Sequence, residues 1–174
     1  MSKILVIAEH DGAKLNPSTS KCVTCASKIG GSTIDVLVLA ADGSAVAAQA
    51  AALAGVGKVL VAENAANVEP LAAVLAPQVA KLAAGYTHVF GPSTTFGKDL
   101  MPRVAALLGV GQVTDIMAVD GAHTFKRPIY AGNAVLTVEV PADAVVVATV
   151  RVASFEAAAQ GGSAAIEKVE AGVA

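Results

Sequence analysis

Up to about residue 111, short apolar runs alternate with longer alanine-rich segments, and this alternation constrains the fold more than any other feature. Short apolar runs predict strands buried on both faces, and the periodic segments predict helices. The predicted strands are Lys3–Ala8, Asp35–Ala40, Lys58–Ala62 and Thr87–Phe90. The predicted helices run from Asn16-Pro17 to Gly30-Gly31, over Ser44–Ala54, over Val68–Ala84 (where Pro77 could interrupt the helix) and over Thr95–Leu108. Strands that alternate with helices indicate a parallel sheet with helical crossovers.

After Gly111 the pattern changes to runs rich in β-branched residues with turn residues between them. The runs are Val113–Val119, Thr124–Ile129, Ala134–Val140 and Ala144–Val150. They predict strands joined by tight turns, and therefore an antiparallel portion in the last third of the chain. The segment from Gly161 to the end is predicted to be a linker and tail with little to bury. We therefore expect an α/β domain over residues 1–160 and a linker or tail over 161–174.

Composition excludes several classes of protein. The 174 residues carry 12 Lys+Arg and 14 Asp+Glu, a net charge of −2, which gives no concentrated basic surface for nucleic acid. No apolar run approaches the roughly 20 residues that span a bilayer, so membrane insertion is not expected. Five apolar residues followed by Glu9-His10-Asp11 are too short for a signal peptide, and there are only two cysteines. These features predict a cytoplasmic location.

The loop after the fourth predicted strand nearly matches a phosphate-binding P-loop. Gly91 and Gly97 have five residues between them where the motif has four, and Asp99 stands where a magnesium-binding hydroxyl is needed. We expect Ser93, Thr94 or Thr95 to cap the next helix instead. No Gly-x-Gly-x-x-Gly follows the first strand, and acids follow three of the four strands. This is a poor setting for a phosphate, although it suits ribose hydroxyls.

Cys22 and Cys25 form a Cys-x-x-Cys pair more than one turn inside the first predicted helix. A redox pair needs its first cysteine at a helix N-terminus, and zinc needs two more ligands. We therefore interpret the pair as packing residues, with thiol redox and metal binding as the alternatives.

The three histidines do not form a catalytic set. His10 follows the first strand and is interpreted as a locally hydrogen-bonded residue, or as part of a ligand or partner edge. His88 is expected in the core or at a sheet edge, and His123 in a solvated turn. No acid–base pair, metal site or nucleophile can be assembled, so we expect no catalytic, cofactor-binding or metal-binding residues in this chain.

A further group combines arginines beside apolar strands with a tyrosine and an asparagine at a tight turn. Its members are Arg103, Arg127, Tyr130, Asn133 and Arg151. Such residues are typical of an interface, or of structural ion pairs to an acid such as Asp115. We take Arg103, Arg127, Tyr130 and Asn133 as candidates for a partner interface.

Several segments, in order and together covering about residues 3–168, resemble the N-terminal domain of the electron transfer flavoprotein α subunit. They are Ile4–His10, Thr95–Asp99, Pro102–Ala106, Thr114–Ile116, Thr124–Ala134, Thr149–Arg151 and Gly161–Ala164. The run Thr124–Ala134 is the most specific of them. Cys22 and Cys25 depart from the small residues usual in the family, and His123 stands where an Asp is common.

The resemblance implies a three-layer α/β/α fold with a mainly parallel, Rossmann-like sheet, similar to the adenine nucleotide alpha hydrolases. It also implies a heterodimer with a β subunit, in which FAD is held mainly by a C-terminal α domain and AMP by β. That FAD-binding domain is expected to follow the linker and to be missing here, so this truncated chain is expected to bind no FAD by itself.

The function that the resemblance implies is that of a non-catalytic, β-binding scaffold in an electron carrier. Such a carrier passes electrons from acyl-CoA dehydrogenases of fatty acid β-oxidation, and from other dehydrogenases, to a membrane quinone oxidoreductase. Homodimer formation by the isolated domain is kept as an alternative. The alternatives are a stand-alone adenine-nucleotide-binding domain of the universal-stress-protein type and a thiol oxidoreductase.

Overall fold

The computed structural model describes residues 1–172, which form four α-helices and ten strands. The helices are α1 (Pro17–Ser27), α2 (Ser44–Ala51), α3 (Ala72–Leu82) and α4 (Thr95–Leu108). The strands are β1 (Lys3–Ile7), β2 (Thr33–Ala40), β3 (Lys58–Glu63), β4 (His88–Pro92), β5 (Gln112–Ile116), β6 (Ala118–Val119), β7 (Thr124–Ile129), β8 (Ala134–Glu139), β9 (Val146–Val150) and β10 (Ala165–Lys168).

Seven strands form a parallel sheet in the order β10-β3-β2-β1-β4-β9-β5, and β6-β7-β8 form a separate antiparallel sheet. Alternate residues of β1 enter two different cores. Ile4 and Val6 pack with α1 and α2 on one face, while Leu5 and Ile7 pack with α3 and α4 on the other. The antiparallel sheet packs on the α1–α2 side, where Phe125 joins that core. The expected three-layer α/β/α fold with an antiparallel portion is therefore confirmed.

The start of α1 and the end of α4 follow from their sequences. Asn16 caps α1 by accepting a hydrogen bond from the Ser18 N–H at 2.9 Å, and Pro17 occupies the first turn, where its missing N–H costs nothing. Gly109 ends α4 in the left-handed conformation, with φ 69°. Both ends lie where the sequence predicts them.

Two helices are shorter than predicted. The helix expected over Ser44–Ala54 ends at Ala51. The helix expected over Val68–Ala84 is preceded by a short 3-10 turn, Ala65–Val68, and begins only at Ala72. Glu69, the residue before Pro70, has extended backbone (φ −105°, ψ 132°), a conformation that a following proline favours, and the helical run is broken there. Pro77, in contrast, lies inside α3 and does not interrupt it.

The expected place of the run Ala144–Val150 is wrong. We predicted an antiparallel strand, but β9 lies inside the parallel sheet, between β4 and β5. Every residue of β9 is buried, which is typical of a strand covered on both faces. The run Val113–Val119 also differs from the prediction. Its first part, β5, is parallel to β9 with a register shift between Val113 and Ile116, and only β6 joins the antiparallel sheet.

The segment from residue 161 was expected to be a linker or tail. Part of it instead forms β10, an edge strand parallel to β3. All four residues of β10 are exposed, and two ion pairs join its side chains to β3: Lys58–Glu167 at 3.1 Å and Lys168–Glu63 at 2.7 Å. A strand that buries so little gives no periodic signal in the sequence.

Candidate functional site

The turn between β7 and β8 presents Tyr130 to solvent. Tyr130 is 77% exposed, and Tyr130, Ala131 and Gly132 all have positive φ (49°, 52° and 90°). Left-handed backbone at a non-glycine residue costs on the order of 1 kcal/mol. Asn133 supports the turn, because its N–H and its Nδ2 both donate to the Tyr130 carbonyl, at 3.1 and 2.8 Å. The predicted turn role of Asn133 is confirmed.

The two ends of this hairpin differ in burial. Near its base, Phe125 is fully buried and Val138 packs against the core. Near the turn, Val135 is 51% and Leu136 42% exposed, although neighbouring residues on a strand point to opposite faces. Both faces of this end are therefore open to solvent. We call Tyr130, Val135 and Leu136 the hairpin tip.

Arg127 connects the hairpin to the main sheet. Its Nε donates to the Thr114 carbonyl and its Nη2 donates to Thr114 Oγ1, both at 2.8 Å. Two parallel bonds from a planar guanidinium fix an angle as well as a distance. Arg127 therefore fixes how β7 lies against β5, and its place in a partner interface stays a prediction.

A second arginine fixes the irregular end of β5. Asp115 has φ 59°, its N–H donates to Thr149 Oγ1 at 2.9 Å, and its carboxylate pairs with Arg151 at 3.2 Å. The expected pairing of an arginine with Asp115 is confirmed for Arg151. These contacts hold the strained residue beside Thr114, to which Arg127 is bound.

Arg103 is not brought together with the other candidates. It is exposed on α4, a helix that packs chiefly against α3 and against strands β4, β5 and β9. Its place in an interface stays a prediction that is separate from the hairpin tip.

His88 and His123 lie together where the hairpin sheet meets β4. The ring centroids are 5.6 Å apart, and His88 Nε2 donates to the Ala122 carbonyl at 2.6 Å. Burial lowers the pKa of His88, which is fully buried as expected for a core residue. The expectation that His123 is solvated is wrong: it is half-buried, and its Nδ1 has no hydrogen-bond partner among residues 1–172. Contact with His88, from a distant strand, explains the difference.

Cys22 and Cys25 are fully buried and free. Burial raises the pKa of the Cys25 thiol to about 12, and burial also raises the pKa of Cys22 well above its ordinary value. A thiol that stays protonated is a poor nucleophile. The interpretation of both cysteines as packing residues is confirmed.

A cavity of about 480 Å³ opens at the carboxyl ends of β1 and β2. Its apolar floor includes Leu39 and Leu75, and its rim carries Asp11, Asp42 and Glu69. Hydrogen bonds from the Lys14 and Ala13 N–H groups lower the pKa of Asp11. Hydrogen bonds from the Ser44 hydroxyl, which has the larger effect, and from the Ser44 N–H lower the pKa of Asp42. No lysine or arginine lies among the described residues that line this cavity, which makes it unsuited to phosphate groups.

His10, also on this rim, makes local hydrogen bonds. The Gly12 N–H donates to its Nδ1 at 3.0 Å, which leaves Nε2 as the donor to the Leu39 carbonyl at 2.9 Å. The interpretation of His10 as a locally hydrogen-bonded residue is confirmed, and neither ring nitrogen is free to act as a base.

The loop before α4 caps that helix, as predicted. The Gly97 N–H donates to Thr94 Oγ1 at 3.4 Å, and Thr94 Oγ1 in turn donates to Glu9 Oε2 at 2.9 Å. Glu9 Oε2 also accepts from Ser18 Oγ at 2.7 Å. Sequence reasoning did not single out Glu9. The available signal was an acid directly after β1, together with Ser18 and Thr94 at the starts of the helices that follow β1 and β4.

In residues 1–172 we find no group of three or more His, Cys, Asp or Glu side chains arranged to hold a metal ion. Over the same range, each helix falls short of the length and apolar character that crossing a bilayer requires.

The comparisons with known proteins agree on one family. A family model described as electron transfer flavoprotein domain matches residues 4–174. The chain is 53% identical over 167 residues to the electron transfer flavoprotein subunit alpha of Pseudomonas aeruginosa, covering 95% of this chain and 53% of that protein. It is 45% identical over 171 residues to the subunit alpha of Paracoccus denitrificans, covering 97% of this chain and 54% of the relative.

The mitochondrial subunit alpha of Dictyostelium discoideum is also similar, with 42% identity over 173 residues, 95% of this chain and 48% of that protein. The chain thus spans about half the length of these curated relatives.

Proposed function

We propose that this chain is a non-catalytic scaffold domain that binds a β subunit. The chain belongs to the electron transfer flavoprotein family, in which it is the N-terminal domain of the α subunit. The relatives are named as α subunits, which supports a heterodimer. The carrier so formed takes electrons from acyl-CoA and other dehydrogenases and delivers them to the quinone pool.

The exposed hairpin tip is the observation that carries this proposal. Tyr130, Val135 and Leu136 place three large apolar side chains on a projecting, internally braced hairpin. Large apolar side chains exposed together on one turn and strand end favour an interaction surface, and tyrosine is enriched at such sites. The arginine bonds to Thr114 hold the hairpin in a fixed orientation, so it binds without first being ordered.

The interface is tested by titrating purified β subunit into this chain and its variants. We expect Y130A to weaken binding about tenfold, and N133A to weaken it less, because Asn133 acts through the turn. R127A is also expected to weaken binding, because it frees the hairpin. V68A is the control, since Val68 is 71% exposed at the carboxyl edge, away from both the hairpin and Arg103.

Unchanged affinity in Y130A, R127A and N133A would reject the hairpin as the interface. R103A tests the separate candidate on α4. Size-exclusion chromatography of the chain alone shows whether the isolated domain also forms a homodimer.

The residues at the carboxyl edge do not fit the pyrophosphate of FAD. The cavity there is rimmed by acids, and the Ser18 and Thr94 hydroxyls at the starts of α1 and α4 already donate to the Glu9 carboxylate. We infer that FAD, in the full-length relatives, is held by parts outside this chain. The acidic rim and the bonded Glu9 carboxylate also argue against a stand-alone adenine-nucleotide-binding domain.

Incubation with excess FAD, removal of free flavin and a visible spectrum test the cofactor assignment. A colourless protein supports it, and a retained flavin band contradicts it. A flat calorimetric titration with millimolar ATP or AMP would remove the nucleotide-binding alternative, whereas saturable binding would revive it.

We further propose a cytoplasmic location, supported by 53% identity to a bacterial α subunit. Relatives named as mitochondrial also exist. Cell fractionation followed by immunoblotting tests the location, and recovery with another compartment would contradict it.

A further inference from the structure

The crevice between β1 and β4 is the place where a parallel sheet of this order would accept an anion. The chain leaves β1 towards β2 and leaves β4 towards the opposite edge, so the two strands flank a topological switch point. The helices that follow, α1 and α4, have 11 and 14 residues and begin at this edge. Helix N-termini carry partial positive charge and free N–H groups, which attract anions.

In this protein a side chain of the chain itself occupies the crevice. Glu9 Oε2 accepts hydrogen bonds from Ser18 Oγ, in the first turn of α1, and from Thr94 Oγ1, the cap of α4. One carboxylate oxygen therefore joins the starts of both helices.

The backbone of Glu9 is fixed as well. Its N–H donates to Thr19 Oγ1 at 3.0 Å, and its carbonyl accepts from the Asn16 N–H at 2.8 Å. With the backbone fixed, the carboxylate can leave the crevice only by rotation of the side chain, which breaks its bonds to Ser18 and Thr94. The acids Asp11, Asp42 and Glu69 on the adjacent cavity rim add further negative charge on the approach to the crevice.

We propose that the Glu9 carboxylate is a built-in anion that fills the crevice between α1 and α4 and thereby excludes phosphate-bearing ligands from it. The starts of α1 and α4 still favour an anion, and the Glu9 carboxylate of the same chain supplies it. The domain therefore serves as a rigid scaffold at an edge where related topologies bind nucleotides.

Replacement of the carboxylate by an external anion tests this proposal. E9A removes the carboxylate to which the Ser18 and Thr94 hydroxyls donate. We compare thermal midpoints in phosphate and in chloride at equal ionic strength, and titrate phosphate by calorimetry. E69A is the control, because Glu69 is an exposed acid on the same edge that touches neither helix start.

We expect E9A to be less stable than wild type in chloride and to be rescued saturably by phosphate. Its affinity for phosphate should exceed that of wild type and of E69A about tenfold, because each helix N-terminus favours an anion by a few-fold. Equal phosphate affinity in E9A and E69A would overturn the proposal, as would phosphate binding by wild type that matches E9A.

If E9A is unfolded in chloride, its folded fraction is measured instead as phosphate replaces chloride. Rescue of folding by phosphate supports the built-in anion. Failure of rescue overturns it. E9S, which restores a small polar group, gives a second variant for the same comparison.

Discussion

Gly97 lies in the first turn of α4 against the end of β4. A Cβ atom at this position would lie 1.7 Å from the Pro92 carbonyl oxygen, which is backbone and cannot move aside. We predict that G97A lowers the free energy of unfolding by about 3 kcal/mol. G91A is the matched comparison: its Cβ would meet the flexible Met101 side chain at 2.7 Å, so we expect a loss of about 1 kcal/mol. Urea denaturation measures both, and equal losses would contradict the account.

His88 makes stability depend on pH in a defined direction. Burial lowers its pKa in the folded protein, so the folded state resists protonation that the unfolded chain accepts near pH 6.5. At pH 7.5 both states are neutral, and as pH falls through 6.5 the unfolded state is favoured. We predict a loss of stability from pH 7.5 to pH 5.5, with a slope of at most about 1.4 kcal/mol per pH unit from this group.

The variant H88Q should show a smaller loss over this pH range, because the titrating group is gone. H10Q, which keeps His88, should retain it. The free energy of unfolding of both variants, measured at pH 7.5 and at pH 5.5, tests this prediction. An undiminished loss in H88Q would show that other groups cause the pH dependence.

The hairpin of β7 and β8 divides into an anchored base and an open tip. Phe125 at the base is fully buried, and its ring meets Phe90 edge-on at 6.3 Å. We predict that F125A costs about 4 kcal/mol, whereas V135A at the tip changes stability by no more than about 0.5 kcal/mol. Chemical denaturation measures both, and a large loss in V135A would mean that the tip is not free. V135A is nevertheless expected to weaken β-subunit binding.

At the level of single elements, the sequence predicted what local periodicity controls. The buried runs and the helix ends at Asn16-Pro17 and Gly109 lie where expected, because capping residues and glycine conformations are local. The placement of β9 was missed because pairing between distant strands is not encoded locally, although its unbroken apolar run was consistent with a central strand. The exposed strand β10 has no hydrophobic pattern at all.

In the candidate site, too, local features were predictable from the sequence and contacts between distant residues were not. Asn133 and the turn were predictable, since turn residues act on their own backbone. The bonds of Arg127 to Thr114, the contact of His123 with His88 and the role of Glu9 all join residues far apart in sequence or on different elements. Only the folded arrangement brings these groups together.

For the whole molecule, two surfaces differ in what they can bind. The carboxyl edge of the main sheet is acidic and its crevice is filled by Glu9. The hairpin tip is apolar, exposed and held by Arg127. This contrast favours protein association at the tip over small-molecule binding at the edge, in agreement with membership in a family whose relatives are named as subunits.

Hydrogen–deuterium exchange of this chain, with and without the β subunit, tests the central claim most directly. We predict slower exchange over residues 127–139, around the hairpin tip, with loops 10–13 and 64–70 at the carboxyl edge unchanged. Protection of those edge loops with an unchanged hairpin, or no protection at saturating β subunit, would contradict the account.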